Sequence, residues 1–371
     1  MQKSGPELHI VTFAVPFPAN YGGAIDVWNR IAALKRAGVR IHLHCFVYGV
    51  FLPQPILADF AEKVYYYPRV KWPALFLPGQ PYIVTSRKSK ELLKNLSADR
   101  IPILFEGIHT TGFAGELKDR RLLLRAHNIE HQYYTELANQ CKGVKSLIFR
   151  RESLCLRDYE RALAGRFDMV FAISPPDHVW YEAHGAKTIY LPPFHGYDEV
   201  DILTGRGDYL LYQGDLSIQI NQDALFDLLR KIPTDQPYQI VAAGRSGDRA
   251  FEAKLSGFPN LRREADVTHE KMIDLIRNAQ LILVHGLHGA GMKLKIFPAL
   301  YHGRFVAATT NSRTNTSLDN AIHFYQPDEV GTIIKTYWSQ AFTTEMVKER
   351  VAVLFKQPPD DEKAGEILRY L

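Results

Sequence analysis

The groups best suited to chemistry crowd between Gln280 and Thr310, where the chain reads HGLHGAGMKLKIFPALYHG from His285 to Gly303. Three glycines, Gly286, Gly289 and Gly291, precede two lysines, Lys293 and Lys295. The pattern predicts a buried strand over Leu281 to Val284, a glycine-rich loop, a helix from Met292 to Tyr301, and after Gly303 a second strand over Phe305 to Ala308. The first-turn amides of a helix lack partners and its dipole adds partial positive charge, so such a loop can cradle an anion. With two cations at the same place, the expected ligand is a diphosphate.

Further polar groups fall at predicted strand ends. Ile103 to Phe105 is an apolar run followed by EGIHTTG, which puts Glu106 and His109 at the carboxyl edge of a sheet, the side that faces ligands in open α/β folds. Gly22 and Gly23 sit between the proline-rich loop after Leu8 to Phe13 and a helix from about Ala24 to Ala37. A tight turn explains that pair equally well. RLLLRAHNIEH carries His127 and His131 in an H-x-x-E-H spacing, a zinc pattern. It begins at the end of a strand, however, whereas that chemistry needs both histidines on one helix.

These residues require strands and helices in alternation. After the first helix, Gly38 precedes a strand over Val39 to Val47. A long helix runs from about Ser146 to Ala164, a strand covers Met169 to Ile173, and Ser174-Pro175-Pro176-Asp177 caps the next helix. Ile189 to Leu191 leads into PPFHGYDEV, and residues 192 to about 208 read as a linker. The alternation then restarts with Tyr209 to Gln213, Gly214, a helix over Asn221 to Lys231, Gln239 to Ala243 and Gly244. A helix over Glu270 to Asn278 precedes the glycine loop. The last helices fall near Glu345 to Phe355 and Asp361 to Tyr370. The pattern predicts two doubly wound α/β domains.

Composition narrows the classes. A chain of 371 residues fits two domains, and 46% hydrophobic with 23% charged residues is ordinary for a globular protein. The three cysteines, Cys45, Cys141 and Cys155, form no CxxC, which argues against a disulfide scaffold or a cysteine zinc site. No apolar run reaches the roughly 18 residues of a membrane span and no signal-peptide core opens the chain, so a cytoplasmic location is expected. The net charge is +5, made of +6 over residues 1 to 200 and −1 over the rest, so anionic partners are expected at the first half. Residues 61 to 95 interleave Lys63, Arg69, Lys71, Arg87, Lys88, Lys90 and Lys94 with Tyr65, Tyr66, Tyr67, Trp72, Phe76 and Tyr82. That mixture suits a phosphate-bearing surface such as the inner face of a membrane, and a solvated helix beside a strand would give the same composition. No nucleic-acid-binding signature accompanies it.

Taken in order, VPFPANYGGAIDVWNRIAALKRAGVRIHL, LRAHNIEHQYY, FDMVFAISPPD, YLLYQGDLSIQINQDALFDLL and KLKIFPALYHGRFVAAT resemble the large group of retaining, nucleotide-sugar-dependent glycosyltransferases of GT-B fold. LPPFH and the GMKLK stretch resemble a bacterial sub-branch of that group. The resemblance implies two Rossmann-like domains facing each other across a cleft. Their bounds would be an acceptor-side domain over 1–197, a nucleotide-sugar domain over 198–355, and a final helix over 356–371 packing back on the first. It implies metal-independent transfer of a hexosyl group to a glycan or lipid-linked acceptor in cell-surface polysaccharide or glycoconjugate synthesis. Retention by front-face attack is expected, with no cofactor beyond the nucleoside-diphosphate sugar as co-substrate. The basic first domain would meet an anionic membrane surface peripherally.

Residue roles carried by the resemblance are specific. His109 matches the histidine that contacts the transferring sugar, with Glu106 and Glu130 as catalytic helpers. Gly22, Gly23, Gly214, Gly244, Arg245, His288, Gly289, Gly291, Lys293 and Lys295 would bind the donor. Asn20, Tyr21, His127 and Asn128 would bind the acceptor. Four positions depart from the pattern. An acidic pair in the loop and helix is replaced by Ala290 and Pro298, and the arginine and lysine that clamp the diphosphate are replaced by Asp215 and Ile220. Other classes compatible with the same features are an inactive GT-B scaffold, a nucleotide-sugar epimerase of that fold, a zinc peptidase built on HNIEH, and a dinucleotide oxidoreductase. GLHGAG is not the GxGxxG that the last of these requires.

Overall fold

The computed structural model describes residues 5–19, 22–70, 78–232, 238–287 and 291–371. The chain divides into two compact units. The first holds Met1–Gly196 with Ala290–Met292 and Pro358–Leu371, and the second holds Tyr197–Gly289 with Lys293–Gln357.

The first unit is built on seven strands: β1 (Glu7–Thr12), β2 (Arg40–Val47), β3 (Lys63–Pro68), β4 (Ile103–Glu106), β5 (Leu122–Ala126), β6 (Met169–Ala172) and β7 (Thr188–Tyr190). They pair in parallel in the order β3-β2-β1-β4-β5-β6-β7. The helices between them are α1 (Gly22–Arg36), α2 (Tyr82–Thr85), α3 (Lys90–Leu96), α4 (Glu130–Gln140), α5 (Gly143–Leu163) and α6 (Pro175–Ala183). Alternate strand residues supply two separate cores, as a sheet covered on both faces requires. Val11, Phe46, Phe105 and Leu124 belong to one, and Ile10, Leu43, Leu104 and Leu123 to the other. Ser174 accepts the backbone N–H of Asp177 at the start of α6, the capping that its sequence predicts.

The second unit repeats the plan with β8 (Leu210–Gln213), β9 (Ile240–Gly244), β10 (Leu261–Ala265), β11 (Leu281–Val284), β12 (Phe305–Thr309) and β13 (His323–Tyr325). Their order is β10-β9-β8-β11-β12-β13, again all parallel. Its helices are α7 (Gln219–Lys231), α8 (Arg249–Leu255), α9 (His269–Asn278), α10 (Ile296–His302), α11 (Val330–Trp338) and α12 (Thr344–Leu354). The chain then returns to the first unit with α13 (Asp360–Leu368). Both sheets reverse strand order once, between β1 and β4 and between β8 and β11, and crevices for ligands form outside the carboxyl ends at such switch points.

Two expectations change. The helix predicted to open at Met292 opens at Ile296 instead. Pro298 is the reason: it has no N–H to give, so it is tolerated in a first helical turn but not four residues further in. Ahead of it, Ile296 N bonds Lys293 O at 2.9 Å and Phe297 N bonds Leu294 O at 3.1 Å, the tight turn that replaces the predicted helical start. The segment read as a linker is also not loose where it begins. Leu191 to His195 are buried, and hydrogen bonds from Arg125, Asp26, Asp360 and Lys363 hold residues 191–196 in the first unit.

A buried charge network organises the first unit. Asp26 and Arg30 lie on the inner stripe of α1 with Val27, Ile31 and Leu34. Arg125 on β5 donates to both Asp26 oxygens at 3.0 Å and to the carbonyls of Leu191 and Pro192 at 2.6 and 3.3 Å. Arg30 donates to Asp26 at 2.7 Å and through Nε and Nη2 to Glu106 on β4. Asp26 also accepts the Phe194 N–H at 2.8 Å. From α13, Asp360 accepts the Gly196 N–H at 2.9 Å and Lys363 donates to Pro193 O at 2.6 Å. Burial alone would raise the Asp26 carboxyl, but Arg125 and Arg30 outweigh it and hold it far below the usual range.

Removing one member of such a network strands the opposite charges away from water, which costs about 3–5 kcal/mol. Asp26→Ala is therefore expected to lower the unfolding free energy by that amount in urea. The exposed pair Arg36–Asp361 at 2.6 Å provides the contrast, since Asp361→Ala should cost less than about 1 kcal/mol. Equal effects of the two substitutions would contradict this account.

Candidate functional site

In the second unit, the carboxyl ends of β8 and β11 open into a pocket lined by Asn221, His285, Gly286, Lys293, Lys295 and Ser312, with Ile220, Ala224, Val284 and Leu287 as its apolar wall. β8 ends in Gln213, and Gly214 follows at the turn. The Lys295 ammonium donates to Gln213 O at 3.2 Å and lies 4.9 Å from the Tyr212 ring centre, while Gln213 Nε2 donates back to Lys295 O at 3.0 Å. No carboxylate pairs with Lys295 among the described residues. Burial first, and the charge of Lys293 second, bring its ammonium down to about 7.

The backbone around the pocket is shaped by glycine where it has to be. Gly244, at φ 135°, packs so tightly on Gly214 that a Cβ would overlap the Gly214 carbonyl. Gly291 stands at φ 73°, which lets the chain turn into the Lys293–Lys295 stretch. His285 is fixed from both sides, by Asp227 at 2.8 Å on Nε2 and by the Tyr325 hydroxyl at 3.0 Å on Nδ1. Burial keeps that imidazole below its ordinary pKa although Asp227 opposes the shift. Arg245 approaches Asp215 at 3.7 Å. Thus Asp215, at the position where the resemblance leads one to look for a cation, faces one.

At the carboxyl edge of the first sheet, Glu106 is wholly buried and both its oxygens are engaged, by Arg30 and by His127 Nε2 at 2.9 Å. His127 Nδ1 stands 3.6 Å from Asp26. His109 lies in a one-turn helix over Ile108–Thr110, its ring 5.4 Å from Phe13, and among the described residues Nδ1 has no hydrogen-bond partner. Burial, then Arg87, hold it well below the usual histidine range, so it is neutral at pH 7. Glu130 opens α4, and Asn128 Nδ2 is 3.3 Å from it. Burial and the neighbouring Glu160 raise its carboxyl to about 8, which leaves it largely protonated at neutral pH. Gly22 and Gly23 are the first residues of α1. Asn20, Tyr21, His288, Gly289 and Ala290, with Lys71, Trp72 and Phe76 of the basic-aromatic stretch, lie outside the described residues.

The HNIEH histidines are on different elements and serve different carboxylates. His127 follows β5 and bonds Glu106, whereas His131 lies in α4 and its Nδ1 is 2.6 Å from Glu160. Among the described residues no group of three or more histidine, cysteine or carboxylate side chains is placed to hold a metal ion. Likewise, no helix of those residues is long and apolar enough to cross a membrane.

Sequence reasoning missed Gln213, His285 and Ser312 as pocket residues. Their signal was position only: Gln213 and His285 stand at the ends of the two strands that flank the order reversal. It also missed Asp26 and Arg30, whose signal was a pair of charges four residues apart inside the apolar stripe of a helix.

No family model matches the chain. An uncharacterized 44.6 kDa protein in the cps region of Klebsiella pneumoniae is 23% identical over 340 residues, 84% of each chain. Among solved structures, sucrose-phosphate synthase from Thermosynechococcus elongatus superposes with a TM-score of 0.69 at 14% identity, over 98% of this chain and 97% of that one. HepE of Anabaena, in complex with UDP and glucose, gives 0.65 at 15% identity over 99% and 100%. A glycosyltransferase from Rickettsia africae gives 0.63 at 12% over 99% and 97%. With two parallel sheets of the same strand order and likeness along nearly the whole length, this chain has the GT-B fold of two Rossmann-like domains.

Proposed function

We propose that this chain is a glycosyltransferase that moves a hexosyl group from a nucleoside-diphosphate sugar to a glycan or lipid-linked acceptor. The observation that carries the reading is the pocket at the β8–β11 switch point, where Lys293 and Lys295 stand beside Gly286 and the end of β8. Glycosyl transfer builds negative charge on the leaving diphosphate while the sugar becomes oxocarbenium-like. The Lys295 ammonium, held by the Gln213 carbonyl with Lys293 beside it on the pocket wall, would stabilise that charge without moving, which is electrostatic preorganisation. Arg245, Gly214, Gly244 and Gly291 are assigned to the same donor, together with His288, Gly289 and the glycines at the start of α1.

The fold likeness supports a UDP-sugar as donor, since HepE was crystallised with UDP-glucose. The relative from a cps region supports a place in cell-surface polysaccharide synthesis. In the first unit we assign His109, Glu106 and Glu130 to catalysis, and Asn20, Tyr21, His127 and Asn128 to the acceptor. The reaction is read as metal-independent and retaining, at the cytoplasmic face of a membrane that the basic first unit touches.

Thermal unfolding with millimolar UDP, GDP and their sugars tests the donor assignment. A rise in Tm with at least one of them, lost in Lys295→Ala, is the expected result. No rise with any of them would favour the scaffold reading, to which the Asp215–Arg245 approach would then belong.

The lysine also gives a pH signature. Its ammonium titrates near 7 in the folded chain and near 10.5 when unfolded, so the unfolded chain binds more protons between those values. Stability of the ligand-free protein should consequently rise with pH across that window, and Lys295→Met should flatten the rise. Diphosphate affinity runs the other way, strongest where the ammonium is charged and weakening as pH climbs past the folded value. Urea titrations and nucleotide binding measured from pH 6.5 to about 9 check both signs.

A further inference from the structure

Four loops leave the carboxyl edge of the first sheet side by side, after β1, β2, β3 and β4, and each contributes to one cluster: Phe13, Tyr48, Arg69 and His109. Arg87 lies beneath them, only 5% exposed. Its Nε donates to Phe13 O at 2.9 Å, Nη1 to Ile83 O at 2.7 Å and Nη2 to the Tyr48 hydroxyl at 3.3 Å. Arg69 donates through Nε to Ser86 Oγ at 3.0 Å, and its guanidinium lies 4.9 Å from the Tyr48 ring and 5.1 Å from the Tyr82 ring. Next to them, Val70 N bonds Ser86 O at 2.8 Å.

Among the described residues neither guanidinium forms an ion pair. Every hydrogen-bond acceptor they use is neutral: two carbonyls, a phenol and a serine hydroxyl. The nearby carboxyls are occupied otherwise. Glu152 accepts the N–H groups of Tyr82 and Ile83 at 2.8 and 2.9 Å, and Glu130 is held largely protonated. The imidazole of His109 is neutral as well. Burial, then the charge of Arg69, brings Arg87 down to about 10. Elsewhere in this unit buried cations are matched: Arg30 and Arg125 have Asp26 and Glu106, and Lys363 has Asp360 at 2.6 Å. Two adjacent guanidinium groups without a counter-ion are costly unless an anion from outside completes them.

We propose that Arg69 and Arg87, walled by Tyr48 and Tyr82 at the edge of the first sheet, form a binding site for a phosphate group carried by the acceptor. Phosphate fits this pair better than carboxylate does. It offers a charge near −2 and several acceptor oxygens to the uncommitted Nη1 and Nη2 of Arg69, over the fixed charge of Arg87. The tyrosine rings leave an apolar wall for what the phosphate is attached to. That the phosphate belongs to an acceptor rests on the glycosyltransferase reading; the anion site itself rests only on these side chains.

The test uses the full chain without nucleotide. Inorganic phosphate, a hexose 6-phosphate, the same hexose unphosphorylated, and vesicles of neutral lipid with and without a polyprenyl phosphate are titrated by calorimetry or flotation. Binding of at least one phosphate-bearing probe is expected, with the unphosphorylated hexose and plain vesicles bound much more weakly. Arg69→Gln should weaken it by roughly tenfold or more, and Arg69→Lys should restore part of the loss. Arg69 is only partly buried, so these variants test the site without removing the anchored Arg87, and their melting curves check that they fold. A preference for the hexose phosphate would identify a soluble acceptor, and a preference for the polyprenyl phosphate a lipid-linked one. Either supports the site. Absence of binding by all three phosphates at about 10 mM, or binding that Arg69→Gln leaves unchanged, overturns it. Phosphate binding with no response to nucleotides would retain this site while rejecting the donor assignment, and the converse result would do the opposite.

Discussion

Two positive and two negative side chains wholly removed from water constrain the first unit: Arg30, Arg125, Asp26 and Glu106. They sum to zero charge and share their hydrogen bonds, so each is tolerable only while the others stay in place. Because Glu106 ends β4, Arg125 belongs to β5 and Asp26 to α1, the network fixes the helix against the middle of the sheet. It also fixes His127, which hangs between Glu106 and Asp26. The edge where His109 and Glu130 stand is therefore built on a rigid electrostatic floor rather than on apolar packing alone.

The two units reach the same strand order with different electrostatics at their switch points. At the β1–β4 switch the charges are internally matched, and the unmatched cations lie further along the edge toward β3. At the β8–β11 switch the unmatched cation is Lys295 itself, held by a carbonyl and an aromatic face. Neutral acceptors can orient a cation without neutralising it, and an oriented, unneutralised cation remains able to attract an anion. The same arrangement thus recurs in Arg87 of the first unit and Lys295 of the second, with carbonyl oxygens as holders in both.

Much of the architecture was legible because parallel strands buried on both faces read as short apolar runs bounded by glycine. β10 and β13 were not, for a physical reason. Both are edge strands: LRREA buries none of its residues and carries three charges in five residues, and HFY is only three residues long. Helix starts were legible where a side chain caps them, as Ser174 does, and misread where proline decides, as at Pro298. The candidate site was legible as residue types, in the glycines and lysines after β11. What could not be read was which cations would find partners. Arg30, Arg87 and Arg125 look alike in sequence, and only the fold brings two of them to carboxylates and leaves the third without one.

The bonds from Asp360 and Lys363 to residues 193–196 span 164 to 170 positions of sequence. Apart from residues 290–292, everything from Tyr197 to Gln357 is, topologically, an insertion within the first unit. During synthesis the seven-stranded sheet therefore emerges early but stays unfinished, with Ala364 and Ile367 missing from one of its cores, until the second unit has been made. The second unit is contiguous apart from three residues. The half of the protein that is translated first is thus the half that completes its folding last, and chaperone dependence should track the lifetime of that open core.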